Sequence, residues 1–164
     1  MNKAIILVSG GMDSCVTASC AKLDGYELCF LHINYGQRTE NKELSSFNKI
    51  GDFFDVEKRL IIDMPYFNDI GGSCLTDPNI KVPDGDLDNN QIPISYVPFR
   101  NANILSAATS WAEAINANAI YIGAVEEDSS GYPDCRRSFY DAFEKAIEEG
   151  TKPNTSIVIK SPLI

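Results

Sequence analysis

Histidine and paired cysteines are the scarcest features of this 164-residue chain. It has one histidine, His32, and five cysteines that form no CxxC pair. The cysteines are Cys15, Cys20, Cys29, Cys74 and Cys135. A structural zinc site needs four nitrogen or sulfur ligands at characteristic spacings. We therefore predict no metal site among these residues, and expect Cys15, Cys20 and Cys29 to be buried, reduced thiols.

Basic residues and long apolar runs are also few. The 14 Lys and Arg are scattered and are outnumbered by 23 Asp and Glu, which gives a net charge of -9. Proteins that wrap nucleic acid need clustered cations, so the composition favours a small-molecule substrate instead. The apolar run near the N-terminus is too short for a signal-peptide core or a membrane span. We expect a cytoplasmic protein that contacts neither nucleic acid nor membrane.

The chain does have the composition of an ordinary globular domain, with 44% hydrophobic and 23% charged residues. Its length predicts a single domain over residues 1–164. Apolar strands alternate with helical patterns, which predicts an α/β fold with a doubly wound, five-stranded parallel sheet. The predicted strands are 4–8, 27–34, 58–62, 120–123 and 157–160. The predicted helices are 14–23, 38–54, 101–116 and 137–149, the last capped by Gly150.

Two regions depart from this alternation. Residues 63–95 are rich in proline and glycine and show no helical pattern, and loops of that length in compact domains are usually functional. We predict that this loop covers the substrate; a passive insertion is the alternative. The chain also stops soon after strand 157–160, without a helix to cover the sheet there. We expect a homodimer, another partner or a longer protein, of which these residues are the N-terminal part, to cover that face.

The segment Ser9-Gly10-Gly11-Met12-Asp13-Ser14 stands where the first strand turns into the first helix. Adjacent glycines let backbone N–H groups approach a ligand, and a helix N-terminus favours an anion. No lysine follows the glycines, as a Walker A loop would require. The segment therefore predicts a loop that binds a pyrophosphate group leaving as a unit. The alternative is an ordinary Gly-Gly turn with Ser14 as the helix N-cap.

Arginines stand at two further positions where a doubly wound sheet binds its ligand. Arg38 follows the second strand, and Arg100 with Asn101 opens the third long helix. A cation at a helix start opposes the helix dipole. These positions therefore indicate an anionic ligand nearby, although a solvated Arg38 is an equally good interpretation.

The segment 123–137 follows the fourth strand and is dense in reactive side chains. Three acids end with Asp128 and are followed by a Gly-Tyr-Pro turn, Asp134, Cys135 and Arg136. The Asp134 carboxylate is suited to accept two hydrogen bonds from a guanine-like edge, or to cap the next helix. Cys135 would need a stabilised thiolate to act as a nucleophile, and no histidine is at hand as its base.

These motifs resemble those of a known family. SGGMDS resembles the SGGxDS loop of the N-type ATP pyrophosphatases. YGQR at 35–38, the RN pair of VPFRN at 97–101 and SGYPDCR at 130–136 extend the resemblance, over the whole chain, to the 7-cyano-7-deazaguanine synthases. The resemblance implies an adenine nucleotide alpha hydrolase-like (Rossmann-like) fold. It also implies a ligase that makes 7-cyano-7-deazaguanine (preQ0) for queuosine biosynthesis from 7-carboxy-7-deazaguanine, ammonia and two ATP, through an adenylated carboxylate and an amide.

The resemblance, together with the residue chemistry, assigns the candidate site residues. The residues expected to bind ATP are Val8, Ser9, Gly10, Gly11, Met12, Asp13 and Ser14, with Mg²⁺ near Asp13. Those expected to bind the substrate are Arg38, Arg100, Asn101, Asp128, Gly131, Tyr132, Asp134 and Arg136. Asp13, Arg100 and Arg136 are the candidate catalytic residues, Asp134 is expected on the guanine-like edge, and Arg136 is expected at the substrate carboxylate.

Three departures from the family pattern leave alternatives open. Thr39 stands where the family often has histidine, and Phe99 where it often has glycine. The four-cysteine cluster that binds Zn²⁺ in the family is absent from this chain. The alternatives are another pyrophosphate-loop ligase or amidotransferase that adenylates a different carboxylate, and a non-catalytic nucleotide-binding remnant.

Overall fold

The five apolar segments form strands that pair side by side in one sheet. The computed structural model describes residues 2–77, 79–80, 92–125 and 131–164. Its strands are β1 (Lys3–Leu7), β2 (Glu27–Asn34), β3 (Arg59–Asp63), β4 (Ala117–Tyr121) and β5 (Val158–Lys160). Its helices are α1 (Met12–Leu23), α2 (Glu40–Phe53), α3 (Tyr66–Ile70), α4 (Arg100–Ile115) and α5 (Arg137–Gly150), the last preceded by a 3-10 turn, Pro133–Cys135.

The strand order places a ligand crevice at the centre of the sheet. The order is β3-β2-β1-β4-β5, and every pair is parallel. The chain moves outward from β1 through β2 to β3, then returns to the other side of β1 with β4. This reversal is a topological switch point, where doubly wound sheets bind ligands at the carboxyl ends of the strands. The predicted fold class is confirmed.

Helices cover both faces of the sheet. On one face, α1 and α2 bury Phe30 of β2 against Phe47, with ring centroids 6.3 Å apart. On the other, Leu105 of α4 and Tyr140 of α5 belong to the cluster that buries Ile5 of β1. Burying each such side chain stabilises the fold by about 1.5–3 kcal/mol. None of these helices is long and apolar enough to span a bilayer.

Several predicted boundaries are wrong, each because of a local backbone feature. Strand β4 begins at Ala117 because Asn116 adopts a left-handed conformation (φ 54°) that ends α4 and turns the chain directly into the sheet. Helix α5 includes Gly150 instead of ending before it, and the Thr151 hydroxyl then donates to the Ile147 carbonyl at 2.7 Å. Helix α1 begins at Met12, so Ser14 lies inside its first turn and is not its N-cap.

The predicted environment of α1's cysteines is also partly wrong. Cys29 in β2 is buried, but Cys15 and Cys20 on α1 are partly exposed. The buried residues of α1 are Ser14, Thr17, Ala18 and Ala21, which form the stripe against the sheet. The two cysteines flank that stripe, so the helix buries them only in part.

The long segment after β3 contains a helix that the sequence did not predict. Its short helix α3 buries Phe67, which meets the Tyr35 ring edge-on with centroids 6.3 Å apart. Residues 78 and 81–91 lie outside the described residues, so the predicted covering role of this loop stays a prediction.

Helix α5 covers one face of the sheet near β5. Ile157 and Ile159 pack in the same cluster as Tyr140 of α5. On the opposite face Val158 remains 41% exposed. The uncovered face that the sequence predicts near this strand is therefore limited to one side of β5.

Candidate active site

A cleft of about 220 Å³ opens at the carboxyl ends of β1, β2 and β4. The glycine-containing loop 9–14 after β1 forms one wall, and the start of α4 with the segment after β4 forms another. The lining residues are Leu7, Val8, Ser9, Gly11, Asp13, Ser14, Leu31, His32, Ile33, Tyr35, Arg100, Asn101, Ile104, Ile122, Gly123, Ala124 and Cys135. A mostly apolar lining with a few convergent polar groups is typical of small-molecule sites.

The two loop glycines have different environments. Gly10 has a φ of +90°, and a Cβ there would lie 2.6 Å from the Glu43 carbonyl oxygen and 2.8 Å from Ser46 Cβ. Gly11 has an extended backbone (φ −81°, ψ 170°), and a Cβ there would meet only Ser9 Oγ, at 3.6 Å. The loop therefore packs tightly against α2 at Gly10 and leaves open space at Gly11 for a ligand.

The hydroxyls beside Gly11 hold the loop in shape. Ser14 Oγ donates to the Gly11 carbonyl at 2.8 Å, and the Gly11 N–H donates to Ser9 Oγ at 3.4 Å. Of the predicted ATP-binding residues, five line the cleft and two, Gly10 and Met12, do not. Met12 is 79% exposed.

Arg100 enters the cleft from the first position of α4. Its Nη1 donates to the Tyr35 hydroxyl at 3.1 Å, and its Cζ lies 5.3 Å from the centroid of the Tyr35 ring. Burial raises the pKa of Tyr35, so its hydroxyl stays neutral and accepts this hydrogen bond. Burial opposes the charge on Arg100, but the nearby oxygens of Tyr35 and Asp134 outweigh it and raise the pKa of Arg100.

Asn101, Asp134 and Cys135 form a buried polar cluster beside Arg100. Asp134 Oδ2 accepts from the Asn101 backbone N–H at 2.9 Å, and Asn101 Nδ2 donates to the Asp134 carbonyl at 3.1 Å and to Cys135 Sγ at 3.2 Å. Asp134 therefore caps α4, whereas Arg136 is the N-cap residue of α5. The interpretation of Asp134 as a cap of the following helix is wrong. Burial raises the pKa of the Asp134 carboxyl, against the opposing effect of the Asn101 N–H.

The other two predicted arginines lie away from the cleft lining. Arg38 is exposed and its Nη2 donates to the carbonyls of Asp77 at 3.5 Å and Ile80 at 3.3 Å. Arg136 is exposed. Their predicted contacts with the substrate stay predictions.

Gly131 and Tyr132 lie half-buried against the segment before α4. A Cβ on Gly131 would lie 3.2 Å from Pro93 Cγ, and the Tyr132 hydroxyl is 2.7 Å from Ser95 Oγ. Asp128 lies outside the described residues. These three assignments also stay predictions.

Several cleft residues were missing from the sequence-based set, and three of them are Tyr35, Gly123 and His32. Tyr35 was passed over in favour of Arg38 in the same motif, and Gly123 marks the end of the fourth strand. His32 was considered only as a metal ligand. Its Nδ1 donates to the Val8 carbonyl at 2.7 Å, and its Nε2 has no partner among the residues that the structure describes.

The residues present fit a magnesium ion better than zinc. Asp13 lines the cleft beside the loop, and Mg²⁺ bound with nucleotide often takes only one or two protein carboxylates. Within the described ranges, no cluster of three or more His, Cys, Asp or Glu side chains could hold a metal. The four-ligand set of a structural zinc site is not formed by these residues.

The strand order 3-2-1-4-5, with every pair parallel and helices on both faces, defines a doubly wound α/β protein with its cleft at the switch point of the sheet. A solved structure of similar fold is a predicted subunit of tRNA methyltransferase from Methanocaldococcus jannaschii. The TM-score is 0.61 at 16% identity, over 100% of this chain and 69% of that one. This likeness concerns the fold alone.

Sequence comparison defines the family more narrowly. The family described as "Queuosine biosynthesis protein QueC" matches residues 3–164, and the chain belongs to it. The chain is 61% identical to the 7-cyano-7-deazaguanine synthase of Chlorobaculum parvum, over 99% of this chain and 71% of that protein. It is 58% identical to the synthase of the same name from Chlorobium phaeobacteroides, over 99% of this chain and 72% of that protein.

Proposed function

We propose that this protein is an ATP-dependent ligase that converts 7-carboxy-7-deazaguanine and ammonia to 7-cyano-7-deazaguanine, with residues 1–164 as one ATP-pyrophosphatase domain. The observation that carries the proposal is the cleft, where a phosphate loop without a lysine and the guanidinium of Arg100 line the same space. Membership of the QueC family and the names of the relatives support the choice of substrate.

The first half-reaction makes the amide. A carboxylate is a poor electrophile at neutral pH, so its oxygen first attacks the α-phosphorus of ATP. The bond to the β-phosphate breaks and pyrophosphate leaves. The nitrogen of ammonia then attacks the acyl carbon, loses a proton and displaces AMP.

The second half-reaction makes the nitrile. The amide oxygen attacks the α-phosphorus of a second ATP, and pyrophosphate leaves again. Loss of the remaining nitrogen-bound protons and cleavage of the carbon–oxygen bond release AMP and form the carbon–nitrogen triple bond.

The loop and Arg100 supply the electrostatics for both halves. The N–H groups around Gly11 and the hydroxyls of Ser9 and Ser14 stabilise the negative charge that develops on departing pyrophosphate. Asp13 would hold Mg²⁺, which supplies further charge neutralisation. Arg100 brings a fixed positive charge to the reacting carboxylate.

Asp134 does not itself line the cleft, but its neighbours Asn101 and Cys135 do, and we propose that the base is recognised on this side. We propose that Asp134 and Asp128 face the guanine-like edge and that Arg38, Asn101, Gly131, Tyr132 and Arg136 complete the substrate site. The buried position of Asp134 next to Arg100 supports this arrangement.

AMP release with and without 7-carboxy-7-deazaguanine tests the function. We expect AMP only when both the base and ammonia are present, with nitrile as the product. Turnover with a different carboxylate alone would identify another ligase, and ATP binding without turnover would identify a nucleotide-binding remnant.

Asp134→Asn sharpens the test because it keeps an oxygen to cap α4. We expect roughly a 10⁴-fold loss of base-dependent AMP formation, since an amide N–H would then face the donors of the base. Asp69→Asn changes an exposed carboxylate on α3 and is the matched control. Unchanged turnover in Asp134→Asn would reduce Asp134 to a helix cap.

The assembly and compartment belong to the same proposal. We propose a homodimer that acts in the cytoplasm. The exposed Val158 on edge strand β5 supports the homodimer. The five cysteines form no disulfide with one another, and three of them are buried, which supports the cytoplasm.

A further inference from the structure

The YGQR motif contributes Tyr35 to the cleft, while its arginine points elsewhere. The Tyr35 hydroxyl accepts from Arg100 Nη1, and the Tyr35 ring lies beside the guanidinium carbon. Arg38 of the same motif is engaged by backbone carbonyls outside the cleft lining. The side chain of this motif that reaches the site is therefore an aromatic hydrogen-bond acceptor.

A buried chain of hydrogen bonds fixes Tyr35 in place. The Tyr35 backbone N–H donates to Gln37 Oε1 at 2.8 Å, and Gln37 Nε2 donates to Glu43 Oε2 at 2.9 Å. Gln37 is only 5% exposed. The Glu43 backbone is the surface against which Gly10 packs. Tyr35 is thus anchored on the same α2 segment that supports the phosphate loop.

Arg100 holds a charge that this chain compensates only in part. No carboxylate within the described ranges lies within ion-pair distance of its guanidinium. Asp134 is close enough to influence it, but its Oδ2 accepts from the Asn101 N–H. A guanidinium has five N–H donors, of which the described contacts use one. A half-buried cation with free donors in a ligand cleft is suited to receive an anion in a fixed orientation.

We infer that Tyr35 is the positioning residue that aims the Arg100 guanidinium at the carboxylate of the purine-like substrate, and that Arg100 serves this carboxylate and not the phosphates of ATP. The inference rests on the proposed function. The phosphates already have the loop that leads into α1, on one face of the sheet, whereas Arg100 opens α4 on the other face and stands beside Asp134, on the side proposed for the base. Tyr35 restricts the orientation of the Arg100 guanidinium in two ways: its hydroxyl accepts one hydrogen bond, and its ring makes a cation–π contact.

Paired ligands isolate the effect of the carboxylate. Calorimetry would measure the binding of 7-carboxy-7-deazaguanine and of 7-deazaguanine, which lacks the carboxylate, to the parent and to Tyr35→Phe. Hydrogen bonds to charged groups contribute about 10–100-fold in affinity. We expect the parent to prefer the carboxylated base by about 100-fold, and Tyr35→Phe to lower this preference about tenfold while ATP binding is unchanged.

A double-variant comparison shows whether Tyr35 acts through Arg100. Arg100→Lys should abolish most of the preference, and Tyr35→Phe added to it should change little, because coupled residues are not additive. Tyr66→Phe is the matched control: its hydroxyl also forms a hydrogen bond with a residue of α4, here as the donor to Asn103 Oδ1 at 3.2 Å, but Tyr66 lies outside the cleft lining. This control should keep the parent's preference.

The outcomes separate the inference from the proposed function. Equal weakening of both bases in Tyr35→Phe would mean a merely structural role, and weakened ATP binding with an unchanged preference would assign Arg100 to the nucleotide; either result overturns the inference. A parent that binds both bases equally overturns it while the proposed function stands. A parent that binds neither base overturns both.

Discussion

At the scale of single residues, Gly10 and Gly11 are adjacent but have different requirements. Gly10 needs a positive φ and has no room for a Cβ beside Glu43. Gly11 has ordinary backbone angles and an open environment. The protein's own structure therefore requires glycine at position 10 but not at position 11, where only the approach of a ligand to the backbone would require it.

Substitutions should separate the two requirements. We expect Gly11→Val to change the free energy of unfolding by no more than about 0.5 kcal/mol and to weaken ATP binding at least about tenfold, or about 1.4 kcal/mol. Gly10→Ala should instead cost about 1–3 kcal/mol of stability. Urea unfolding and calorimetry with ATP check both. A Gly11→Val protein that binds ATP as the parent does would mean that the phosphates bind elsewhere.

Asp134 should give the protein a measurable pH dependence. Burial raises the pKa of its carboxyl in the folded state, so the folded protein holds this proton more tightly than the unfolded chain. Its stabilising contribution is fully present below the unfolded pKa of about 3.9 and is lost as pH rises through the folded pKa.

The Asp134→Asn variant has no carboxyl group at this position, so its stability does not change with pH through the titration of residue 134. We therefore expect the unfolding free energy of Asp134→Asn, relative to that of the parent, to increase with pH through the mildly acidic range and then level off. Urea unfolding across that range measures it. A constant difference between the two proteins would show that Asp134 titrates alike in the folded and unfolded states.

Sequence reasoning predicted the local part of the cleft lining but not the contacts between distant segments. SGGMDS is contiguous, and its position after an apolar strand indicates its role. Tyr35 and Arg100 are 65 residues apart, and Asn101 and Asp134 are 33 apart. Such contacts depend on strand order and side-chain direction, which one sequence does not specify. The sequence therefore favoured Arg38 over Tyr35 as a site residue, because it shows the charge of the arginine but not where its side chain points.

At the scale of elements, α1 is set closely against the end of β4. A Cβ on Gly123 would lie 3.0 Å from Thr17 Oγ1 and 3.3 Å from the Asp13 carbonyl carbon. The first turn of α1, which carries residues 12–14 of the loop predicted to bind phosphate, therefore takes its position from β4.

Gly123→Ala should push this turn away from the sheet. We expect a cost of about 1–3 kcal/mol in stability from overpacking, together with weaker ATP binding. Gly150→Ala is the control: it has nothing within 4 Å and should stabilise α5 by about 0.5–1 kcal/mol. If Gly123→Ala binds ATP normally, the loop does not depend on β4 for its position.

The alternation of strands and helices was predictable because the three central strands, β1, β2 and β4, are apolar and largely buried. Strand β2 was predicted with its observed bounds, Glu27–Asn34. The start of β4 was missed because it depends on the left-handed Asn116, and helix α3 was missed because five residues show too little periodicity.

At the scale of the whole molecule, the exposed side of β5 should mediate self-association. Strand β5 is three residues long and lies at the sheet edge, where Val158 is 41% exposed. Exposed apolar groups on edge strands favour pairing with another chain. We expect light scattering after size exclusion to give twice the chain mass of 18.0 kDa, and Val158→Lys to shift the protein toward monomer. A parent that stays monomeric at about 100 μM would contradict the homodimer.

The position of β1 at the centre of the sheet has a consequence for synthesis on the ribosome. The first strand made pairs with β2 from residue 27 onward, but its other edge waits for β4, which begins at residue 117. At about 5–20 residues per second, the stretch between β3 and β4 takes several seconds to emerge. During that interval the nascent chain carries an open strand edge and only half of its cleft. Cellular ATP therefore cannot protect it by binding, and this interval is when a chaperone would be most useful.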